Sequence, residues 1–388
     1  MSVRLASFNV ENLFARAKAL NTTTWAEGQP VLAAFDRFNT IAGKAEYSEE
    51  DKAAMISALT VLRILVTKGG RLVLNPNPFE AWALLRENRG DFLKQPRNGD
   101  AEIVAIGRGS WIGWVELVTE PVDETATRMT AKVIGEVSAD ILCVVEAEDR
   151  PSLVRFNEEL LGSHYGHAML VDGNDPRGID VGLFSRSDID IHSVRSHVDV
   201  PDPARPTKRL FSRDCPVYRL GLPGGAELVL LVNHLKSQSF SSGNPDPLRS
   251  RQSEKVRAIY DDVRAGGAEF VAVLGDFNKG PSNDGHHPTL EPLLGPGTPL
   301  IDTASLPVFD AGPRPGTFQS CTLRNRLDYI LVSPELAARV TAGGVCRKGL
   351  WGTPTNKKPP KEWAIFPEIT RSMEAASDHA AVFVDIDL

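Results

Sequence analysis

Phe270-Val271-Ala272-Val273-Leu274-Gly275-Asp276-Phe277-Asn278 decides the fold of this 388-residue chain. Its five apolar residues read as a buried strand. The Gly-Asp-Phe-Asn that follows sets an acid and an amide at the strand's C-terminal tip, where α/β proteins build their sites. The layout recurs in Ser7-Phe8-Asn9-Val10-Glu11-Asn12, Asp140-Ile141-Leu142-Cys143-Val144-Val145-Glu146, Val232-Asn233-His234, Leu327-Asp328-Tyr329 and Ser377-Asp378-His379. In each, polar groups punctuate or end a strand-like apolar stretch. Six such punctuations in one chain predict a single assembled site.

Working outward, apolar patterning predicts strands at residues 3–8, 140–145, 166–171, 181–185, 189–198, 217–222, 228–233, 271–274, 329–332 and 381–386. Helical spacing of Met129, Val133, Ile134 and Val137 predicts a helix over 125–138, and another is expected over 248–265. Short turns such as Pro223-Gly224-Gly225 imply antiparallel pairing, so the fold class is α/β with mixed sheets and helices outside. Residues 15–124 interrupt this pattern. They are expected to form a mainly helical inserted segment, with helices over 49–66, started by a Ser48/Asp51 capping box, and over 78–88. A hairpin is expected from 102–106 and 111–118.

The net charge of −7 argues against a broad basic nucleic-acid clamp, while leaving room for metal ions and a few local Lys or Arg to hold a phosphate. The four cysteines, Cys143, Cys215, Cys321 and Cys346, make no zinc spacing and read as reduced. The N-terminus reads as a strand without the apolar core of a secretory signal, and no run of 18 apolar residues occurs. A cytoplasmic protein without a membrane partner is therefore expected. There is no Gly-x-Ser-x-Gly elbow, no Walker-type Gly-Lys-Ser and no complete dinucleotide fingerprint.

The polar set is dominated by oxygen donors: Asn9, Glu11, Glu146, Asp276, Asn278, Asp328 and Asp378, joined by His234 and His379. That composition suits a hard divalent cation, Mg²⁺ or Mn²⁺, better than zinc. Two histidines and an aspartate beside such a metal fit hydrolysis at phosphorus. Singly, a strand-end Asp or Asn is more often a turn former. His286-His287, and Lys357-Lys358 with Lys361, read as solvated loops, and Trp111 and Trp114 as core.

In this order the motifs resemble the endonuclease/exonuclease/phosphatase superfamily, whose fold is that of pancreatic deoxyribonuclease. The resemblance covers residues 1–14 and roughly 125–388. It implies two packed mixed β-sheets flanked by helices in a four-layer sandwich, forming one catalytic domain over residues 1–388 that carries the 15–124 insertion. It further implies Asn9, Glu146 and Asp378 at the metal, with Glu11 where many members carry an aspartate. Asp276 would activate water and Asn278 position an oxygen. His234, beside Asn233, would contact the scissile phosphate. His379 would act as acid/base or phosphate contact, oriented by Asp328. Arg177 and Lys236 are candidate phosphate grips. No tyrosine precedes the strand Asp180-Val181-Gly182-Leu183-Phe184-Ser185, which departs from abasic-site repair nucleases. The function implied is a divalent-metal-dependent phosphodiesterase, an endo- or exonuclease using in-line water attack, with DNA ahead of RNA. The alternatives are hydrolysis of a small-molecule or lipid phosphoester and, behind it, a non-catalytic binding module.

Overall fold

The computed structural model describes residues 2–13, 15–20, 25–121, 125–175, 178–238, 243–282, 284–352 and 362–388. The chain forms two compact units, Met1–Phe14 with Asp123–Leu388, and Ala15–Val122.

The larger unit is built on two mixed sheets. One has seven strands, in the order His167–Val171, Asp180–Ser185, Ile141–Ala147, Ser2–Leu13, Ala381–Asp387, Val340–Cys346 and Phe309–Asp310. The other has six, in the order Asp190–Arg195, Val217–Gly221, Glu227–His234, Phe270–Asp276, Asp328–Val332 and Ile301–Asp302. Ser2–Leu13 pairs parallel with Ile141–Ala147, and Glu227–His234 parallel with Phe270–Asp276, while their other neighbours run antiparallel.

Side-chain alternation explains the layering. Leu5, Cys143 and Val145 of the first sheet meet Leu230, Ala272, Leu274 and Ile330 of the second. On the first sheet's outer face Phe8, Leu142 and Val144 pack on Met129, Val133 and Ile134 of the helix Thr125–Val137. Leu153 and Phe156 of the helix Arg150–Leu160 join that face, with Asp149 capping the helix by accepting the Ser152 N–H. On the second sheet's outer face Val229, Leu231, Val271 and Val273 meet Val256, Ile259 and Tyr260 of the helix Asp246–Ala265. Central strands covered on both faces need uninterrupted apolar runs, which is why they were readable in sequence. Each fully buried Val or Leu contributes about 1.5–3 kcal/mol.

Register then fixes the chemistry. His234 lies opposite Asp276, and Asp276 opposite Asp328, so three neighbouring strands of the second sheet end in a row of polar side chains. Gly275 makes the row possible. It takes φ +128°, and a Cβ there would lie 2.0 Å from the Asn233 carbonyl oxygen. Gly275→Ala is expected to cost about 2–5 kcal/mol in chemical unfolding; a cost under about 1 kcal/mol would show that the strand relaxes freely.

Among its described residues the smaller unit contains the helices Trp25–Ala42 and Glu49–Val61 and four two-stranded antiparallel sheets. The Ser48/Asp51 capping box forms as expected. Several local expectations fail. Residues 78–88 give only a short 3-10 turn, Pro78–Glu80, and then the strand Ala83–Arg89, which pairs with Ile112–Leu117. The 102–106/111–118 hairpin is absent, since Glu102–Ile103 pairs instead with Leu93–Lys94. Helix-forming residues such as Leu84, Leu85 and Glu87 yield to tertiary pairing. Trp111 is buried and donates from Nε1 to the Tyr47 hydroxyl at 3.0 Å. Trp114, expected in the core, is 52% exposed, because it sits on the opposite face of its strand from Val115.

All four cysteines are free. Among the described residues no helix is long and apolar enough to cross a membrane.

Candidate active site

The C-terminal ends of the parallel strand pairs and the N-terminal ends of Asp328–Val332 and Ala381–Asp387 meet at one polar cluster. Asp276 is buried, accepting from the Asn278 backbone N–H at Oδ1 (2.7 Å) and from Asn278 Nδ2 at Oδ2 (3.1 Å). From the first sheet, Asn9 donates through Nδ2 to Asp276 Oδ2 at 3.2 Å, joining the two sheets across the site. Asn278 also donates to the Leu235 carbonyl, pinning the loop beyond His234.

Backbone irregularity aims the acids. Glu146 takes φ 68° at a register break between Val145 and Ala147. Glu11 takes φ 41° where the neighbouring strand breaks register between Asn9 and Leu13. Bulges of this kind turn a side chain out of the pleat and are strained for non-glycine residues. Asn278, at φ 54°, is a third such residue. Glu11 in turn receives the Asp378 N–H at 2.7 Å.

His379 is buried with its Nδ1 2.8 Å from Asp328 Oδ2, and its ring packs on Phe318. Ser377 Oγ accepts the His379 N–H and donates to the Asn9 carbonyl, while Thr317 Oγ1 accepts the N–H groups of Leu327 and Asp328. His379 Nε2 lies 3.8 Å from Asp276 Oδ2 and 3.8 Å from Asp378 Oδ1. His234 Nε2 lies 3.6 Å from Glu146 Oε1 and 3.7 Å from Asp276 Oδ2.

Thus nine predicted residues converge: Asn9, Glu11, Glu146, His234, Asp276, Asn278, Asp328, Asp378 and His379. Asn233 does not aim its amide at them. It folds back to donate to the Leu231 carbonyl, leaving its buried Oδ1 without a hydrogen bond among the described residues. Lys236 is half-buried, its backbone N–H donating to Gln252 and its carbonyl accepting from the buried Arg249. Arg177 lies outside the described residues, as do Lys357, Lys358 and Lys361.

One residue was missed. Arg213, only 3% exposed, places a guanidinium nitrogen 3.3 Å from His234 Nε2 and another 3.5 Å from Asp175. Its signal was the charged pair Arg213-Asp214 interrupting an otherwise apolar approach to the strand Val217–Gly221, where a charge is costly unless partnered.

Charge in the cluster is unbalanced. Burial, the largest influence, pushes Asp276 up to about 7, with the Asp328 and Glu146 charges adding and the His379 charge opposing. Glu11 keeps part of its surface open, yet desolvation of its carboxylate and then the Asp378 charge push it up to about 7. Asp378 is raised chiefly by burial as well. His379 is raised too, but for the opposite reason. Burial pulls it down, but Asp328 and Asp276 outweigh that and hold it well above the usual imidazole value. Oxygen donors that resist ionising together are what a divalent cation relieves, so the residues present fit one. The tightest His/acid grouping, Asp276, Asp328 and His379 within 4.8 Å, includes an Asp328 already engaged by the imidazole. Glu146, Glu11 and Asp378 are less buried than that trio.

A stability effect follows. Unfolded, these carboxyls ionise near about 4, whereas folded Asp276 and Glu11 hold protons up to about 7. The cation-free fold therefore binds more protons between those values and loses stability as pH rises through that window. Mg²⁺ is expected to raise the melting temperature of chelator-treated protein by several degrees more at pH 8 than at pH 5. Equal increments would remove this account.

The Endonuclease/Exonuclease/phosphatase family matches residues 123–379. Among curated proteins no relative matches the chain. Similar solved structures include the mannosyl-6-phosphatase Bt3783 of Bacteroides thetaiotaomicron VPI-5482, at 19% identity and TM-score 0.48, covering 68% of this chain and 91% of that one. The human Nocturnin catalytic domain with bound sulfate has 17% identity and TM-score 0.48, covering 67% and 86%. Truncated Caenorhabditis elegans TDP2 has 16% identity and TM-score 0.44, covering 68% and 91%. The matched residues hold all six strands of the second sheet, five of the seven of the first and seven of the nine converging residues, so the chain belongs to the endonuclease/exonuclease/phosphatase family and is a metal-dependent phosphoester hydrolase.

Proposed function

We propose that the chain is a phosphodiesterase using Mg²⁺ or Mn²⁺ and acting on nucleic acid, DNA ahead of RNA. The observation that carries the diester reading is the charge inventory. Glu11, Glu146, Asp276, Asp328 and Asp378 face few cationic groups among the described residues, chiefly Arg213 and His379. A monoester dianion brings more negative charge to this cluster than a diester monoanion does, and one cation offsets the latter more completely.

Glu146, Asn9, Glu11 and Asp378 would hold the cation, which when bound supplies positive charge to phosphoryl and leaving oxygens. Asp276 Oδ2, steadied by Asn9 and Asn278, takes a proton from water as the water oxygen bonds to phosphorus and the P–O bond to the leaving oxygen breaks. His379 Nε2 is 3.8 Å from that same Oδ2. The two are too close to serve opposite ends of an in-line displacement, so His379 donates to a non-bridging phosphoryl oxygen on the attacking side. Asp328 fixes its tautomer and charge. His234 and Arg213 hold a second phosphoryl oxygen. Their facing nitrogens, 3.3 Å apart, allow one oxygen to reach both. Asn233, Lys236 and Arg177 are proposed to shape this phosphate side.

The inserted segment 15–124 is proposed as a specificity module of one catalytic domain. Purified protein assayed with Mg²⁺, Mn²⁺ or EDTA on plasmid DNA, single-stranded DNA, RNA, a small diester and a phosphomonoester tests the reading. Metal-dependent strand cleavage supports it, and turnover of the monoester alone refutes it. Replacing residues 15–122 by a short linker is expected to change the preference within that panel; an unchanged preference would remove the module's role.

A further inference from the structure

A cavity of about 290 Å³ opens beside the metal end of the site, with Glu11 and Asp378 in its lining. None of the mechanism above uses the rest of it. Leu350 and Trp351, nearly buried, and Ala375 give it apolar surface, and Met373 joins them at 78% exposure. A methionine this open beside a catalytic cluster is a polarizable surface suited to a flat aromatic group. Gln319 supplies an amide. Its backbone N–H donates to the Asp378 carbonyl at 2.8 Å, which ties the residue to the site.

The lining chemistry narrows the occupant. The lining contains no Lys or Arg among the described residues, and its two carboxylates are the ones proposed to hold the cation, so a second phosphate, as on a polyphosphorylated sugar or inositol, would find no cationic side chain to grip it there. An acyl chain would strand the Gln319 amide and the Ser372 hydroxyl away from water. A neutral heteroaromatic ring satisfies both constraints, with apolar faces against Trp351 and Met373 and a donor/acceptor edge toward the amide of Gln319. In a polynucleotide such a ring adjoins each phosphodiester, and it can enter a cavity beside the phosphate when the base is rotated out of the stack.

We propose that this cavity receives the unstacked base of the nucleotide adjoining the scissile phosphate, which makes single-stranded nucleic acid the substrate and disfavours intact duplex. The inference rests on the nuclease reading above.

The test compares full-length wild type with Met373→Ala, whose exposed site puts folding at no risk, and Ala375→Phe, which fills the cavity. Substrates are a single-stranded oligodeoxynucleotide, the same strand in duplex, and methyl p-nitrophenyl phosphate, which carries no base. Stacking on one base is worth about tenfold in binding. Both variants are therefore expected to raise KM for the single strand by about tenfold with kcat nearly unchanged, and to leave the small diester within about twofold of wild type. Wild type is expected to cleave the single strand faster than the duplex. Equal losses on the oligonucleotide and the small diester, or no change on either, would overturn the base cavity while the nuclease reading stands. So would a wild-type preference for duplex. A wild-type protein that hydrolyses the small diester but no strand would remove the nuclease reading itself, and the cavity's assignment with it.

Discussion

Asp276→Ala is expected to lower metal-dependent phosphodiester turnover by about 10³-fold or more, with the protein still folded. Asp276 Oδ2 lies within 3.8 Å of Asn9, Asn278, His234 and His379 together. Losing it removes the proposed proton acceptor and a point on which four side chains converge. Stability should not suffer in proportion. A buried carboxyl pushed up to about 7 is costly to keep ionised, so its removal spares the cation-free fold that cost at neutral pH. Activity that vanishes while the melting temperature in EDTA holds or rises is the expected pair of results. Full activity would refute the role, and Asp276→Asn, which keeps the shape, separates loss of the base from loss of packing.

Asp328→Asn carries the second large effect. Asp328 is buried and touches no predicted cation ligand through Oδ2, which is given to His379 Nδ1. An amide there no longer supplies the negative charge that outweighs burial and holds His379 protonated. Turnover is expected to fall by about 10²–10⁴, and the loss has a pH signature. Wild-type His379, raised well above its usual value, stays cationic through neutral pH. In the variant the imidazole loses its proton at lower pH, so the deficit should widen as pH rises above about 6.5. A deficit independent of pH would mean that Asp328 merely fills space.

Most of the site was legible because the proposed functional residues sit in or beside strand-like apolar runs. Asn9, Glu146, His234, Asp276 and Asp328 all interrupt apolar runs that burial on both faces requires, and His379 directly precedes another. The sequence of motifs also carried the two-sheet arrangement. What stayed hidden has physical reasons. The strand Val340–Cys346 contains Gly343-Gly344, which lowers its strand signal, yet a Cβ on Gly343 would lie 2.5 Å from the Phe309 ring that packs there. The helix Trp25–Ala42 contains Pro30, a residue that normally argues against a helix interior. Arg213 belongs to no strand end and becomes significant only when folding brings it to His234. Within 15–122 the pairings are short and set by distant partners, so local propensity misread them.

The neck of the inserted unit bears on how this protein is made. Ala15–Ala17 pairs antiparallel with Thr119–Pro121, and the Lys18 N–H donates to the Val118 carbonyl at 2.7 Å. On a ribosome the strand Ser2–Leu13 emerges before its parallel partner Ile141–Ala147, which arrives more than a hundred residues later. A chain waiting that long would ordinarily face a large search for its mate. With the neck zipped, the intervening residues behave as a stapled side branch, and the waiting strand sees its partner across roughly the length of a single helical crossover, the helix Thr125–Val137 with its flanking turns. Synthesis order thus favours the branch maturing first and the catalytic sheet closing afterwards.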